Sequence, residues 1–299
     1  LIMLSILIPT YNYDITHLVY ELHEQATNAG IDFEIISFDD GSLSELNSKN
    51  QEINLLDYSR FKAFSSNIGR SAIRNLLAKE AQYEILLFLD ADVEIINHDF
   101  ISNYLKIINA NTQIIYGGIQ YPQQAPDSTK LLRWVYGRKR EAPDLRKRKK
   151  NPYVTFLTLN FLIRRSLFSS LSFNETMPNL RIEDLVFAMD AKQKNILVEH
   201  IDNPVIHLGI ETSEVFLNKT METLNSYNTI INTGVLNSKD ALITRVATSI
   251  KRLKLVFIFK FLSNSLNPFF KKNLLSNHPS LFIFDVFRLC YFLKIKPIK

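Results

Sequence analysis

Five apolar residues in a row, Ile85 to Leu89, run straight into two acids, Asp90 and Asp92, within the stretch Tyr83 to Glu94. Such a run is too short for a helix of its own. Being apolar on both faces, it reads as a central strand of a parallel sheet covered on both sides. In sheets of that kind ligands bind beyond the carboxyl ends of the strands. Asp90 and Asp92 stand two apart where the chain leaves the strand, so both carboxylates can turn to one side and share a cation. The expectation is a metal site for a phosphate-bearing ligand.

The residues before this strand alternate between strand and helix patterns. Met3 to Ile8 is dense in apolar residues and reads as a first strand; it has neither the basic flank nor the cleavage site of a signal peptide. Asp14 to Ala29 reads as a helix with Asp14 as its cap and Gly30 past its end. Asp32 to Phe38 is the next strand and stops on Asp39-Asp40-Gly41-Ser42, which is turn chemistry carrying acids. Ile53 to Phe64 contributes a short strand, and Ile73, Leu76, Leu77 and Ala81 recur at helical spacing in Gly69 to Ala81.

Beyond the acids, Asp99 to Ala110 reads as a helix and Thr112 to Gln120 as a strand. Arg138 to Lys150 holds eight basic residues and two acids, which reads as a mobile, solvated segment or as a holder of phosphate or an anionic acceptor. Tyr153 to Ile163 reads as a strand, Ile182 to Asn195 as a helix, Ile196 to His207 as short strands, and Thr212 to Ile231 and everything from Ala241 onward as helix. The expected organisation is an α/β domain over 1–219 and a helical, basic, amphipathic extension over 220–299.

Charge is uneven. The formal net charge is +5, yet residues 251–299 hold ten Lys or Arg against one acid, so the rest of the chain is mildly acidic. A basic tail rich in Phe fits an anionic membrane surface, or packs on the core with its basic face outward. No partner nucleic acid is expected. Cys290 is the single cysteine, which excludes an internal disulfide framework and suits a reducing, cytoplasmic setting, with peripheral attachment to the inner face of the membrane as the tail's contribution.

Three polar clusters follow three proposed strands: Pro9-Thr10-Tyr11-Asn12, Asp39-Asp40-Gly41-Ser42 and Asp90-Ala91-Asp92. With Asn67-Ile68-Gly69-Arg70-Ser71-Ala72-Ile73-Arg74-Asn75, Glu183-Asp184-Leu185 and His207-Leu208-Gly209 they make the sequence resemble the inverting family 2 glycosyltransferases, from about Leu4 to about Lys219. The resemblance implies the nucleotide-diphospho-sugar transferase fold called GT-A, an α/β architecture with a mostly parallel central sheet flanked by helices. It implies transfer of a sugar from a nucleoside diphosphate donor to a glycan or lipid-linked acceptor, in surface polysaccharide or glycan biosynthesis.

By the same resemblance, Pro9, Tyr11, Asn12 and Asp40 hold the base and ribose, and Asn67, Gly69 and Arg74 approach the donor, with helix-start amides offered to its diphosphate. Arg74 reads equally as a surface helix charge, and Asp39 as a turn cap. Asp90, Ala91 and Asp92 match the Asp-x-Asp motif that binds the donor through Mn2+ or Mg2+, with Asp92 the direct ligand and Asp90 nearer the ribose or metal-bound water. His207 reads as a further ligand or as a structural histidine. Within the pair Glu183–Asp184, the second acid is the general base. An aspartate at its ordinary pKa of about 3.9 is a weak base, so tight positioning rather than basicity is expected of it.

Processive synthases carry Gln-x-x-Arg-Trp after the catalytic acid together with several membrane spans. Here Lys130-Leu131-Leu132-Arg133-Trp134 precedes Asp184 and no span is evident, so one sugar per visit is expected. Trp134 lines the acceptor side or fills the core. The alternatives are an inactive protein of the same fold that binds at a membrane, and a phosphatase of the haloacid dehalogenase type, whose Asp-x-Asp follows the first strand rather than a later one.

Overall fold

The apolar segments form ten strands: β1 (Met3–Thr10), β2 (Asp32–Asp39), β3 (Ser59–Ala63), β4 (Ile85–Leu89), β5 (Val93–Ile95), β6 (Ile114–Tyr116), β7 (Ile119–Gln120), β8 (Asn160–Arg164), β9 (Val198–His200) and β10 (Val205–His207). These come from a computed structural model that describes residues 2–176, 181–232, 237 and 239–295. The described residues fall into two units, one within Leu1–Gln120, Asp144–Asn179 and Glu183–Gly209, the other within Tyr121–Pro143, Leu180–Ile182 and Ile210–Lys299.

The first unit is built on a seven-stranded sheet in the order β3-β2-β1-β4-β8-β6-β9. β4 is buried along its whole length, as its apolar run requires, and each such side chain contributes roughly 1.5–3 kcal/mol. β3, β2, β1 and β4 run parallel, and β6 runs parallel to β9. β8 lies antiparallel to both β4 and β6, pairing Leu89 with Asn160. That reversal matters for function, because the residues leading into β8 enter at the edge where β4 ends. Helices Thr16–Asn28, Arg70–Glu80 and Glu183–Gln193 belong to the same unit. The last is anchored by Phe187, whose ring lies 4.7 Å from Phe173 and 5.7 Å from Phe161.

A second, three-stranded sheet, β5-β10-β7, was not foreseen from the sequence. The strand expected over Thr112–Gln120 is split between the two sheets at Gly117–Gly118. Gly118 has φ +98°, and a Cβ on Gly117 would lie 2.4 Å from the Tyr104 hydroxyl, so this turn requires glycine. The helix expected over Asp99–Ala110 covers only Phe100–Leu105. Downstream, Asn109 and Thr112 side chains accept from the amides of Asn111 and Asn109 and compete with helical pairing. The strand expected from Tyr153 begins only at Asn160, whereas Ile53–Phe64 does contribute a short strand, β3, after the 3-10 turn Gln51–Leu55.

The basic segment Arg138–Lys150 is not a solvated loop throughout. Leu145–Lys150 is helical, capped by Asp144, and Arg148 is buried, donating to the carbonyl of Ile201 at 2.8 Å and lying 5.3 Å from the Tyr116 ring. Arg146, Lys147, Lys149 and Lys150 stay exposed.

The second unit is helical: Leu131–Tyr136, Ser213–Asn232, Leu242–Arg252, Val256–Leu274 and Leu281–Lys294. Its cores gather Phe216, Phe270, Phe284 and Phe287 in one cluster and Leu224, Ala247, Ile250 and Phe292 in another. Trp134 donates to the carbonyl of Pro122 at 2.8 Å, and the Arg138 guanidinium lies 4.7 Å from its ring centre. Among the described residues no helix is long and apolar enough to cross a membrane.

Candidate active site

β1, β2 and β4 end at one edge of the sheet and deliver the three polar clusters there. After β1, Tyr11 is 59% exposed, so its ring is open to stacking, and Asn12 adopts φ +52° with its amide donating to Asp39 Oδ2 at 3.3 Å. Asp39 caps the turn, accepting from the amide and hydroxyl of Ser42 and from Asn47.

Asp40 does more than the sequence suggested. Its carboxylate accepts from the Ile68 amide at 2.7 Å, the Gly69 amide at 3.0 Å and Asn67 Nδ2 at 2.9 Å. It therefore fastens the loop before helix Arg70–Glu80, and two of the amides expected to face a diphosphate are taken by Asp40. Burial raises its pKa against the pull of those amides. Gly41 permits the close approach, because a Cβ there would sit 2.2 Å from the Ser66 carbonyl carbon.

Arg74 is buried rather than a surface charge. It donates to Asp90 Oδ1 at 2.5 Å and lies 5.6 Å from the Phe173 ring. Burial opposes its charge, but the carboxylates of Asp90, Asp184 and Glu183 more than offset this and raise its pKa. A single guanidinium thus sits in the field of acids from β4's exit and from the start of helix Glu183–Gln193.

Asp184 Oδ1 accepts a hydrogen bond from the hydroxyl of buried Thr158 at 2.5 Å. Burial pushes its carboxyl up to about 6, against the lowering effects of Thr158 and Arg74 and with help from the Asp90 and Glu183 charges. The expectation of an unshifted aspartate is corrected: desolvation holds the Asp184 carboxyl above the ordinary aspartate value. Thr158 was missed from the sequence, where it sits inside the apolar stretch read as strand; only the antiparallel entry of β8 brings it to this edge.

Two residues beyond Asp90, Asp92 meets His207. Antiparallel pairing of β5 with β10 sets His207 opposite Val93, and His207 Nε2 lies 3.2 Å from Asp92 Oδ2. Leu208 donates its amide to the Asp92 carbonyl, and a Cβ on Gly209 would fall 2.0 Å from Asp92 Oδ2. The His-Leu-Gly turn therefore wraps the Asp92 carboxylate and needs glycine to do so. Tyr13, also unforeseen, has its pKa raised by burial and then by the Asp92 and Asp14 charges.

A hard cation suits the oxygen of Asp92, and imidazole suits Mn2+. Among the described residues no three His, Cys, Asp or Glu side chains gather around one point. Asp92 and His207 fit as two protein ligands of a shell that a bound diphosphate would complete, while Asp90 is held by Arg74.

A seven-stranded, mostly parallel sheet flanked by helices defines a GT-A fold. The family model for glycosyl transferase family 2 matches residues 5–172, and the chain belongs to that family. This membership sets aside the phosphatase alternative. TarS 1–349 of S. aureus is similar at 21% identity and TM-score 0.51 over 75% of this chain and 65% of that one. The same protein in complex with UDP-GlcNAc matches at 19% identity and TM-score 0.51, over 77% of this chain and 73% of that one. The mannosyltransferase PcManGT of Pyrobaculum calidifontis, in complex with GDP-Man and Mn2+, matches at 14% identity and TM-score 0.55, over 76% of this chain and 64% of that one. The chain thus spans less than two thirds of TarS 1–349 in the first of these matches, and less than two thirds of PcManGT. No curated protein matches.

Proposed function

We propose that this protein is a metal-dependent inverting glycosyltransferase that moves one sugar from a nucleoside diphosphate donor to an acceptor hydroxyl. One observation carries the reading: a proton acceptor poised near neutral pH, Asp184, shares the guanidinium Arg74 with Asp90, and two residues further on Asp92 converges with His207. Membership of glycosyl transferase family 2 supports the reaction class, and the nucleotide sugars held by TarS and PcManGT support the donor class.

In this reading Tyr11 stacks on the base and Pro9 and Asn12 line the ribose, while Asp40 holds Asn67 and Gly69 in the conformation that borders the donor. Asp92 and His207 would hold Mn2+ or Mg2+, which when bound neutralises charge growing on the leaving diphosphate. Asp184 accepts the proton of the acceptor hydroxyl, and that oxygen attacks the anomeric carbon as the bond to the nucleoside diphosphate breaks. Thr158 fixes the orientation of the carboxylate, and Arg74 keeps Asp90 from repelling the ionised Asp184. Displacement in one step inverts the anomeric centre. A glycan or lipid-linked acceptor in surface polysaccharide synthesis fits this chemistry.

The experiment is release of nucleoside diphosphate from a panel of nucleotide sugars, with and without Mn2+. Activity that needs the metal and is lost in Asp184→Asn, with donor binding retained, supports the reading. Full activity in Asp184→Asn would refute the base assignment.

A further inference from the structure

Helix Val256–Leu274 of the second unit is apolar on two sides. One side packs inward: Phe259 and Leu262 lie against the Phe216–Phe284 cluster, Val256 against the Leu224–Phe292 cluster, and Phe270 and Leu274 are buried. The core therefore has all the hydrophobic face a surface helix normally supplies. The other side leaves Phe257 and Phe261, one turn apart, each 68% exposed, and Phe269, two turns further along the helix, 59% exposed. Leu253, in the turn before this helix, is 65% exposed, and Leu242 and Val246, one turn apart on Leu242–Arg252, are 67% and 38% exposed. Several large apolar side chains are rarely left in water close together unless something covers them.

Charge says what covers it. Residues 241–284 hold seven Lys or Arg and no Asp or Glu. Lys251, Arg252, Lys254 and Lys260 are exposed beside these apolar residues, and Lys271 and Lys272 are exposed at the helix end. A second copy of the chain packed symmetrically on this apolar surface would bring the same cations face to face, which costs several kcal/mol by like-charge juxtaposition. An anionic lipid surface meets both features: the Phe rings enter the boundary between headgroups and acyl chains, and the lysines extend their stems to the phosphates.

We propose that the face formed by Leu253, Phe257, Phe261 and Phe269, rimmed by Lys251, Arg252, Lys254 and Lys260, docks this protein on an anionic membrane surface. The helix lies in the plane of the interface and does not cross it. The inference rests on the second unit alone and stands or falls independently of the sugar-transfer chemistry.

Flotation of the full chain with vesicles tests it. Equimolar phosphatidylglycerol and phosphatidylcholine vesicles should carry the protein up, and pure phosphatidylcholine vesicles should not. Added salt should weaken the binding, since the electrostatic part is screened. The double variants Phe257→Ser with Phe261→Ser, and Lys254→Glu with Lys260→Glu, change only exposed side chains, and unchanged far-UV circular dichroism would verify their folding. Each should lower the apparent affinity by about tenfold or more. Absence of the wild-type chain from the anionic vesicles, or equal flotation of wild type and both variants, overturns the proposal. So does a dimer in sedimentation velocity that dissociates in Phe257→Ser with Phe261→Ser, which would assign the face to a second copy.

Discussion

The hydroxyl of Thr158 donates to Asp184 Oδ1 at 2.5 Å, joining the residues that lead into the antiparallel strand β8 to the start of helix Glu183–Gln193. This bond stabilises the ionised carboxylate, while burial opposes it and leaves the carboxyl at about 6. Thr158→Val removes the donor and keeps the shape, so the pKa of Asp184 should rise further. The acid limb of the kcat–pH profile then moves from about 6 to higher pH, and Thr158→Ser restores it. A purely structural Thr158 would lower activity without moving the limb.

Ionised Asp184 also costs stability. Its folded pKa lies above the ordinary aspartate value, so the native state holds this proton more tightly than the unfolded chain. Stability is therefore greatest below about pH 4, falls as pH rises toward 6, and stays reduced above it. Asp184→Asn removes the charge and keeps an oxygen for Thr158. It should raise stability at pH 7.5 by roughly 1 kcal/mol, discounted for the solvent that still reaches the group, while abolishing turnover. Denaturant unfolding at two pH values checks this: the gain should vanish at pH 4.

Asp40 is a keystone of the loop before helix Arg70–Glu80. Asp40→Ala leaves the Ile68 and Gly69 amides and Asn67 without their acceptor, a loss of roughly 3 kcal/mol. The midpoint of urea unfolding should fall accordingly. A change under about 0.5 kcal/mol would mean that water replaces the carboxylate.

Gly209→Ala separates site geometry from folding. The new methyl would meet the end of the Asp92 side chain, which can rotate away at about 1 kcal/mol or less. The melting temperature of the free protein should barely change, whereas Mn2+-dependent binding of a nucleoside diphosphate should weaken at least about tenfold. Isothermal titration measures both the metal and the nucleotide step.

Much of the fold was legible because its signals are local. β1, β2 and β4 announce themselves by apolar runs that stop on Thr10, Asp39 and Asp90, and parallel pairing then gathers those ends at one edge. For the same reason the placing of Asp39, Asp40 and Asp90 at strand ends was legible. Partners that depend on pairing between distant segments were not: Thr158 reaches Asp184 only because β8 runs against β4, and His207 reaches Asp92 only through the small sheet that splits the stretch 112–120. Burial was equally hidden. Arg74 and Arg148 look like surface charges in the sequence, yet one is stacked on Phe173 and tied to Asp90, and the other is closed over Gly118.

In the proposed function Asp92 and His207 grip a nucleoside diphosphate through a divalent cation. The most direct test of this is the melting temperature with UDP or GDP, with and without Mn2+, for the wild-type chain and Asp92→Ala. The melting temperature should rise only when nucleotide and Mn2+ are both present, and not in Asp92→Ala. An equal rise without the metal, or one that survives Asp92→Ala, would contradict it.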